Sequence, residues 1–158
     1  VNGVLTSVMR ACEREEVENR LDAGRMSVSA ELTEARTQIH CLGMRDEVEI
    51  VEKTAQRENV KCCADTGRGR QVLVNILSNA IKYNHRGGRV TIDFGETAPT
   101  KVGLRFADTG PGIPEDQQAT IFNIFSRVKG QALIAGEGTG VGLTIAKSLV
   151  ERMGGEIG

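Results

Sequence analysis

The sequence predicts an α+β fold in which helices pack on one face of a β-sheet. Three observations lead to this prediction. The first half of the chain has apolar residues at helical spacing, and residues 90–106 hold two runs in which apolar and polar residues alternate. A glycine-rich loop at residues 130–142 then leads into an amphipathic final helix. Helices, a hairpin and a further helix in this order are typical of an α+β domain.

The composition predicts one globular domain with a mostly aliphatic core. The chain has 158 residues, of which 39% are hydrophobic and 26% charged. Its net charge of −1 gives no reason to expect nucleic acid or an anionic membrane as the main partner. No apolar run approaches the ~20 residues of a membrane helix, so we expect any membrane attachment to lie outside this sequence. The four cysteines form no C-x-x-C pair and predict ordinary reduced thiols in a cytosolic protein.

The first 64 residues predict two helices and a short strand. The first helix spans residues 1–22 and rests on apolar residues at helical spacing, namely Val4, Leu5, Val8, Ala11 and Cys12. Gly24 follows as a suitable cap. The second helix spans Glu31 to Asn59 and has an apolar stripe of Val48, Val51 and Ala55. Val60–Ala64 predicts a strand, on which Cys62 and Cys63 would point to opposite sides.

The remaining elements are a helix, a hairpin and a last helix. The segment Gln71–Tyr83 predicts a helix because Leu73, Leu77, Ala80 and Ile81 fall on one face. Two strands follow, with alternating apolar residues at positions 90, 92 and 94 and at positions 102, 104 and 106, and their connection contains Pro99. Leu143–Met153 predicts the final amphipathic helix, which the pair Gly154-Gly155 closes.

Three polar side chains share the face of helix 71–83 that is turned away from Leu73 and Leu77. Asn75 and Asn79 are four residues apart, and Lys82 follows three residues later. Asn is a weak helix former, so two of them in mid-helix require a reason. Carboxamide oxygens suit Mg²⁺, and a lysine can neutralise phosphate charge. The alternative is a polar helix face exposed to solvent.

Asp108 begins the segment D-T-G-P-G-I. If Val102, Leu104 and Phe106 face the core, Asp108 follows on the same side of the strand. A carboxylate there requires a donor, such as the exocyclic amine of adenine, and Gly110 and Gly112 would let the backbone approach a flat ring. The alternative is that the strand ends before Asp108, which then caps a turn.

The segment Gly136–Leu143 (G-E-G-T-G-V-G-L) runs directly into the last predicted helix. Loop glycines expose backbone N–H groups, and a helix N-terminus adds its positive dipole end, so the two together can hold a phosphate. The spacing fits neither a dinucleotide-binding G-x-G-x-x-G nor a P-loop. The alternative is a flexible loop.

Together these segments resemble the histidine kinase branch of the GHKL ATPases, a group that also includes DNA gyrase and a heat-shock chaperone. Asn75 to Tyr83 (N-I-L-S-N-A-I-K-Y) resembles the family's asparagine box, and Asp108 to Ile113 its first glycine box. Ile121 to Phe125 resembles the phenylalanine box, and Gly138 to Leu143 the second glycine box. The four boxes occur in the family's order over residues 65–158.

The resemblance implies a two-layer α/β sandwich, with a mixed sheet, helices on one face and a mobile lid at about Pro114–Glu137, that binds ATP and Mg²⁺. It implies that Asn79 and Lys82 are catalytic residues. Asn79 would coordinate Mg²⁺, with Asn75 as a second metal ligand, and Lys82 and Arg127 would contact phosphates. Asp108 would accept from the adenine amino group, and Tyr83 would pack beside the base. The other residues of the implied nucleotide site are Gly110, Gly112, Ile113, Phe125, Gly138, Thr139, Gly140, Val141, Gly142 and Leu143.

The resemblance also implies partners and an acceptor outside this chain. Ser29 to Leu32 (S-A-E-L) matches the family motif S-H-E-L only by chance, with alanine in place of the phosphorylated histidine. We expect the acceptor upstream, on a dimerisation domain of the same parent protein, which would be a homodimer and pass its phosphoryl group to a response regulator. Arg20 to Met26 resembles the exit of the dimerisation region. We therefore expect residues 1–25 to be a helical stub of that region and residues 26–158 to be the catalytic domain, with its C-terminal strands truncated.

Two other functions share these boxes. Asn123 stands in the phenylalanine box where relatives often have an acid, which leaves a nucleotide-sensing module without phosphoryl transfer as one alternative. A protein serine kinase of the same superfamily is another. A gyrase-like hydrolase is disfavoured, since the segment before Asn75 contains no acid that could activate water.

Overall fold

The computed structural model describes residues 4–10, 24–53, 60–98, 101–123 and 140–158. Seven strands and four helices lie in these ranges. In chain order they are β1 (Val4–Arg10), β2 (Arg25–Ser27), α1 (Val28–Asp46), β3 (Glu49–Glu52), β4 (Lys61–Cys63), α2 (Thr66–Lys82), β5 (Arg89–Ala98), β6 (Lys101–Asp108), α3 (Glu115–Gln118), α4 (Gly142–Arg152) and β7 (Glu156–Ile157).

Five strands form one mixed sheet in the order β3-β5-β6-β1-β7, and β2 and β4 form a separate antiparallel pair. Strand β3 runs parallel to β5, whereas β5, β6, β1 and β7 pair antiparallel. The predicted hairpin is confirmed as β5 and β6, in which Ile92 lies opposite Phe106 and both are buried. Asp93 and Arg105 also lie opposite one another and are exposed, so one face of the hairpin packs on the core and the other meets solvent.

Helix α2 packs on the buried face of this hairpin and confirms the helix predicted over residues 71–83. It begins earlier, at Thr66, because the Asp65 side chain accepts a hydrogen bond from the Arg68 backbone N–H (2.8 Å) and caps the first turn. Its core-facing residues are Val72, Leu73, Ile76, Leu77 and Ile81. The helix ends at Lys82, where the N–H of Tyr83 still bonds to the carbonyl of Asn79.

Helix α1 lies beside α2. Its buried face consists of Val28, Leu32, Ala35 and Ile39. The carboxylate of Glu31, only 6% exposed, accepts a 2.6 Å hydrogen bond from Arg70 Nε of α2. Helices on one face of a mixed sheet confirm the predicted α+β class.

The helix predicted over residues 1–22 is wrong at Val4–Arg10, which form β1. Apolar spacing at Val4, Leu5 and Val8 fits a helix, but the β-branched residues Val4, Thr6 and Val8 also alternate as a strand does. Pairing decides between the two, because β1 joins β6 along its whole length, from Val4 opposite Ala107 to Arg10 opposite Lys101. Residues 11–23 lie outside the described residues. The first part of the predicted helical stub is therefore a strand of the main sheet.

The second predicted helix ends earlier than its apolar pattern indicated. Helix α1 stops at Asp46, Glu47 has a positive φ of 54°, and Glu49–Glu52 form β3 instead of continuing the helix. Parallel pairing with β5, which places Ile50 opposite Val90, overrides the helical spacing of Val48 and Val51. Ala55 lies outside the described residues.

The remaining elements match the predictions. Strand β4 coincides with the predicted strand 60–64, and α4 with the predicted last helix. Cys62 is buried and free, and burial raises the pKa of its thiol to about 12. Cys63 points to the other, exposed side as expected, but it is disulfide-bonded, so the prediction of reduced thiols is wrong there. Sequence spacing does not show which cysteines the fold brings together. None of the helices in the described ranges is long and apolar enough to cross a membrane.

Candidate functional site

The polar face of α2 meets the N-terminus of α4. A Cβ atom placed on Gly142, the first residue of α4, would lie 3.6 Å from Asn79 Nδ2 and 4.0 Å from its Oδ1. No side chain caps this helix, because its N-cap position is Val141. Asn79 is partly buried and lies beside the uncapped end of a second helix.

Two polar atoms of α2 and α4 are buried without a hydrogen-bond partner. They are Nδ2 of Asn75 and Oγ1 of Thr144. The carboxamide oxygen of Asn75 accepts from Gln71 Nε2 (3.0 Å), so only its donor is unsatisfied. Buried polar groups are paired in nearly all proteins, and exceptions call for an explanation such as a bound ligand or ion. Thr144 was not among the predicted site residues, and its only signal in the sequence is its position next to the glycine-rich segment.

Asp108 lies on the buried side of the sheet. Strand β6 runs through Asp108, which stands opposite the fully buried Val90. The placement predicted from strand alternation is confirmed, since the strand does not end before Asp108, but the Asp108 side chain also caps the following turn, as the alternative expected. The carboxylate Oδ1 accepts from the backbone N–H of Gly110 (2.8 Å), and burial raises the pKa of Asp108 above its ordinary value.

The loop after Asp108 packs closely on the C-terminal end of α2. A Cβ atom on Gly110 would lie 2.6 Å from the carbonyl oxygen of Tyr83 and 2.8 Å from Oδ1 of Asp108. Only glycine permits this approach. Gly112 has a positive φ of 75°, which also favours glycine, and the carbonyl of the partly buried Ile113 accepts from Gln118 Nε2 (3.1 Å).

A side-chain network missing from the sequence analysis joins the same two segments. Asn84, which is 8% exposed, follows Tyr83, and Thr109 follows Asp108. The Thr109 hydroxyl donates to Asn84 Oδ1 (3.0 Å) and accepts from the Arg89 backbone N–H (2.9 Å). The only sequence signal for these residues was that each adjoins a predicted site residue.

The lid residues are described only at their start. Helix α3 and the turn through Asn123 lie in the described part, and Lys147 Nζ of α4 lies 5.2 Å from the centroid of the Phe122 ring. This cation–π distance connects the start of the predicted lid to α4. Phe125, Arg127, Gly138 and Thr139, all predicted site residues, lie outside the described residues.

The remaining predicted residues are partly buried. Lys82 lies in the last turn of α2, one turn beyond Asn79. Gly140, Val141, Gly142 and Leu143 lead into and begin α4, and Gly140 has a positive φ of 69°. The structure therefore brings members of all three features to the C-terminal part of α2, where Gly142 lies beside Asn79 and Gly110, bonded to Asp108, lies against the Tyr83 carbonyl.

The chain is similar to known proteins over most of its length. A family model described as histidine kinase-, DNA gyrase B- and HSP90-like ATPase matches residues 64–158. The adaptive-response sensory kinase SasA of Prochlorococcus marinus (strain MIT 9303) is 42% identical over 98 residues, which are 61% of this chain and 26% of the relative. The chain thus spans about a quarter of the length of this curated relative.

Solved structures show the same fold. The catalytic domain of the histidine kinase ThkA is 26% identical, with a TM-score of 0.70, and the match covers 84% of this chain and 82% of that one. Full-length ShkA in complex with AMPPNP is 27% identical with a TM-score of 0.67, and the match covers 85% of this chain and 27% of ShkA. The chain therefore belongs to the histidine kinase-, DNA gyrase B- and HSP90-like ATPases and has the fold of a histidine kinase catalytic domain.

Proposed function

We propose that this chain is the ATP-binding catalytic domain of a sensor histidine kinase. It transfers the terminal phosphoryl group of Mg-ATP to a histidine on a dimerisation domain of the same parent protein. The observation that carries this proposal is the convergence on α2, where Asn79 lies beside Gly142 and the carbonyl of Tyr83 lies against Gly110. One helix end thus contacts both the segment suited to phosphate and the segment suited to a purine.

Asp108 recognises the base in this proposal. Its half-buried carboxylate lies on the core-facing side of β6 and accepts from the Gly110 N–H, and a carboxylate partly removed from water gains from an added N–H donor. The amino group of adenine supplies such a donor. Tyr83 flanks the base, Gly110 lets the loop pack against the Tyr83 carbonyl, and Gly112 supplies the positive φ of the same loop.

The phosphates lie between α2 and α4 in this proposal. The uncapped N–H groups at the start of α4 and the unpaired Thr144 hydroxyl are donors for phosphate oxygens. Lys82 adds a positive charge, and so does Arg127 from the lid. Gly138, Thr139, Gly140, Val141 and Leu143 complete the phosphate-binding segment.

Asn79 is the proposed Mg²⁺ ligand. Within the described residues no three His, Cys, Asp or Glu side chains cluster as a metal site, so the chemistry of the donors favours a hard cation held by amide and phosphate oxygens. The proposed second ligand, Asn75, would have to turn its amide over, because its oxygen already accepts from Gln71. Bound Mg²⁺ would supply charge neutralisation to the transferring phosphoryl group.

In this reaction the protein positions the reactants and neutralises phosphate charge, and it forms no covalent bond with the substrate. Phosphoryl transfer passes through a loose transition state in line with the attacking and leaving oxygens or nitrogens. Asn79, Lys82 and the start of α4 hold the triphosphate from one side, and the acceptor imidazole approaches from the other. The nucleophile is a neutral imidazole nitrogen of the dimerisation domain.

The acceptor is proposed to lie outside this chain. His85 has its ring nitrogen Nδ1 within 3.0 Å of the Arg86 carbonyl, and both His85 and His40 are exposed residues without the surroundings of an acceptor motif. We propose a homodimeric cytoplasmic parent protein whose phosphoryl group passes to a response regulator. The isolated chain is then expected to bind ATP without phosphorylating itself, and radiolabel from γ-labelled ATP on this chain alone would contradict that.

Calorimetric titration of Mg-ATP into the chain tests nucleotide binding. We expect binding by the wild-type protein and loss of measurable binding in Asp108→Ala, because the buried acceptor for the base is removed. Asp93→Ala is the matched control, since Asp93 lies on the adjacent strand but on the exposed face. Absence of binding in the wild-type protein, or intact binding in Asp108→Ala, would refute the proposed site.

Phosphoryl transfer is tested by supplying a histidine kinase dimerisation domain in trans. We expect label from γ-labelled ATP on its acceptor histidine, and none when Asn79→Ala replaces the wild-type chain. ATP binding without transfer to any dimerisation domain, including one cloned from the same parent gene, would instead favour a nucleotide-sensing module.

A further inference from the structure

The junction between the C-terminal end of α2 and the loop after β6 is held by side chains to which the proposed function assigns no role. Asn84 is the buried member. Its Oδ1 accepts from the His85 backbone N–H (3.0 Å) and from the Thr109 hydroxyl (3.0 Å), and its Nδ2 donates to the Arg89 carbonyl (3.2 Å). Two of these bonds, to Thr109 and Arg89, join Asn84 to the start of the loop after Asp108 and to the strand residue paired with it, and the third fixes the carboxamide to the next residue of its own chain segment.

Thr109 is the second member and lies directly between Asp108 and Gly110. Its hydroxyl accepts from the Arg89 N–H (2.9 Å) and its own N–H donates to the Arg89 carbonyl (3.0 Å). The backbone next to Asp108 is thus tied at two points to the start of β5. Through Asn84 it is also tied to the residue after Tyr83.

The backbone at this junction is packed too closely to admit a Cβ atom at two glycines. A Cβ atom on Gly88 would lie 2.1 Å from Asn84 Oδ1, and one on Gly110 would lie 2.6 Å from the Tyr83 carbonyl oxygen. Gly88 therefore lets the chain close around the Asn84 carboxamide, and Gly110 lets the loop after Asp108 close on the end of α2. A side chain that is almost fully buried and makes three hydrogen bonds keeps one orientation, so it can set the distance between the segments it joins.

We propose that Asn84 and Thr109 are positioning residues that hold Asp108 in register with Tyr83 and so determine how well the site recognises adenine. This inference rests on the proposed function and adds to it the means by which the base pocket is kept in shape. Neither residue needs to touch the nucleotide. We expect their effect at the base, because the hydrogen bonds of Asn84 and Thr109 go to one another and to His85 and Arg89 rather than to the phosphate-binding residues.

Thr109 provides the cleaner test, because it is exposed and its replacement does not open the core. Thr109→Val keeps the shape but removes the hydroxyl, and Thr109→Ser is the matched control that keeps the hydroxyl. Calorimetry measures the affinity of each variant for Mg-ATP and for magnesium tripolyphosphate, which lacks the base. The comparison separates recognition of the base from binding of the phosphates. Thermal unfolding of each variant without ligand reports the cost to the fold.

We expect Thr109→Val to lower ATP affinity about fivefold, the size of one lost hydrogen bond, with tripolyphosphate affinity unchanged. Thr109→Ser should retain ATP affinity within twofold. The inference is overturned if Thr109→Val binds ATP as the wild-type protein does, if it loses ATP and tripolyphosphate affinity equally, or if Thr109→Ser fails to rescue. A wild-type protein that binds no ATP would instead overturn the proposed function.

Discussion

Replacing Gly110 by alanine adds one methyl group at the tightest contact of the candidate site. The new Cβ atom would lie 2.6 Å from the Tyr83 carbonyl oxygen and 2.8 Å from Asp108 Oδ1, whereas ordinary contacts begin at 3.4 Å. The loop must therefore move away from α2 by about 0.8 Å. The neighbour at the closer contact is backbone, which cannot rotate aside as a flexible side chain would.

The cost can be estimated from two opposing effects. Overpacking of this kind destabilises by about 1–3 kcal/mol. Gly110 does not have a positive φ, so alanine meets no backbone strain and gains about 0.4–1 kcal/mol from the smaller entropy of the unfolded chain. The net loss is about 1–2 kcal/mol, which lowers the melting temperature of a chain of this length by roughly 2–8 °C. Displacement of Asp108 should also weaken ATP binding roughly tenfold.

Thermal unfolding and calorimetry with Mg-ATP measure both effects, and Gly67→Ala is the control. A Cβ atom on Gly67, in the first turn of α2, would lie 3.5 Å from its nearest neighbour, Asp65 Oδ1, so this variant should be neutral or slightly stabilised. If Gly110→Ala unfolds at the wild-type temperature and binds ATP equally well, the close contact between the loop and α2 is not a constraint on the site.

Three further predictions concern charges and an unpaired hydroxyl. Burial raises the pKa of Asp108, so the folded protein binds this proton more tightly than the unfolded chain does. The stability of the folded state therefore falls as the pH rises through that pKa. Asp108→Asn should be more stable than the wild-type protein at pH 7, and the difference in melting temperature should close towards about pH 4. Thr144→Val removes a buried unpaired hydroxyl, so without ligand its melting temperature should rise by roughly 2–4 °C, which corresponds to about 1 kcal/mol. Addition of Mg-ATP should raise the melting temperature of Thr144→Val less than that of Thr144→Ser. Arg70→Gln leaves the buried Glu31 carboxylate unpaired and should lower the melting temperature more than Arg86→Gln, which breaks an exposed ion pair.

A specific result would contradict each of these three predictions. A constant difference between wild type and Asp108→Asn across the pH range would show that burial does not perturb this carboxyl. A Thr144→Val variant with lower stability and unchanged ATP stabilisation would mean that the hydroxyl has a partner within the fold. Equal melting temperatures for Arg70→Gln and Arg86→Gln would mean that Glu31 is as well hydrated as a surface carboxylate.

The periodicity of apolar residues was enough to predict those elements whose packing in the fold imposes the same periodicity. Helix α2 and the β5–β6 hairpin were predicted because burial on one face imposes the periodicity of each element on the sequence. The prediction of Asp108 on the buried side of β6 followed from the same alternation. The pattern misled at Val4–Arg10 and Glu49–Glu52, where a few apolar residues fit both periods and strand pairing decided the outcome.

The sequence by itself determined which chemical groups are available and in what local order: two carboxamides on one helix face, a carboxylate at a strand end and glycines before a helix. Only the tertiary structure decided that these groups meet around the end of α2, since the distances from Gly142 to Asn79 and from Gly110 to Tyr83 join segments far apart in the chain. The roles of Asn84, Thr109 and Thr144 likewise became visible only in the fold. Hydrogen bonding and burial between distant segments depend on packing, which no local pattern encodes.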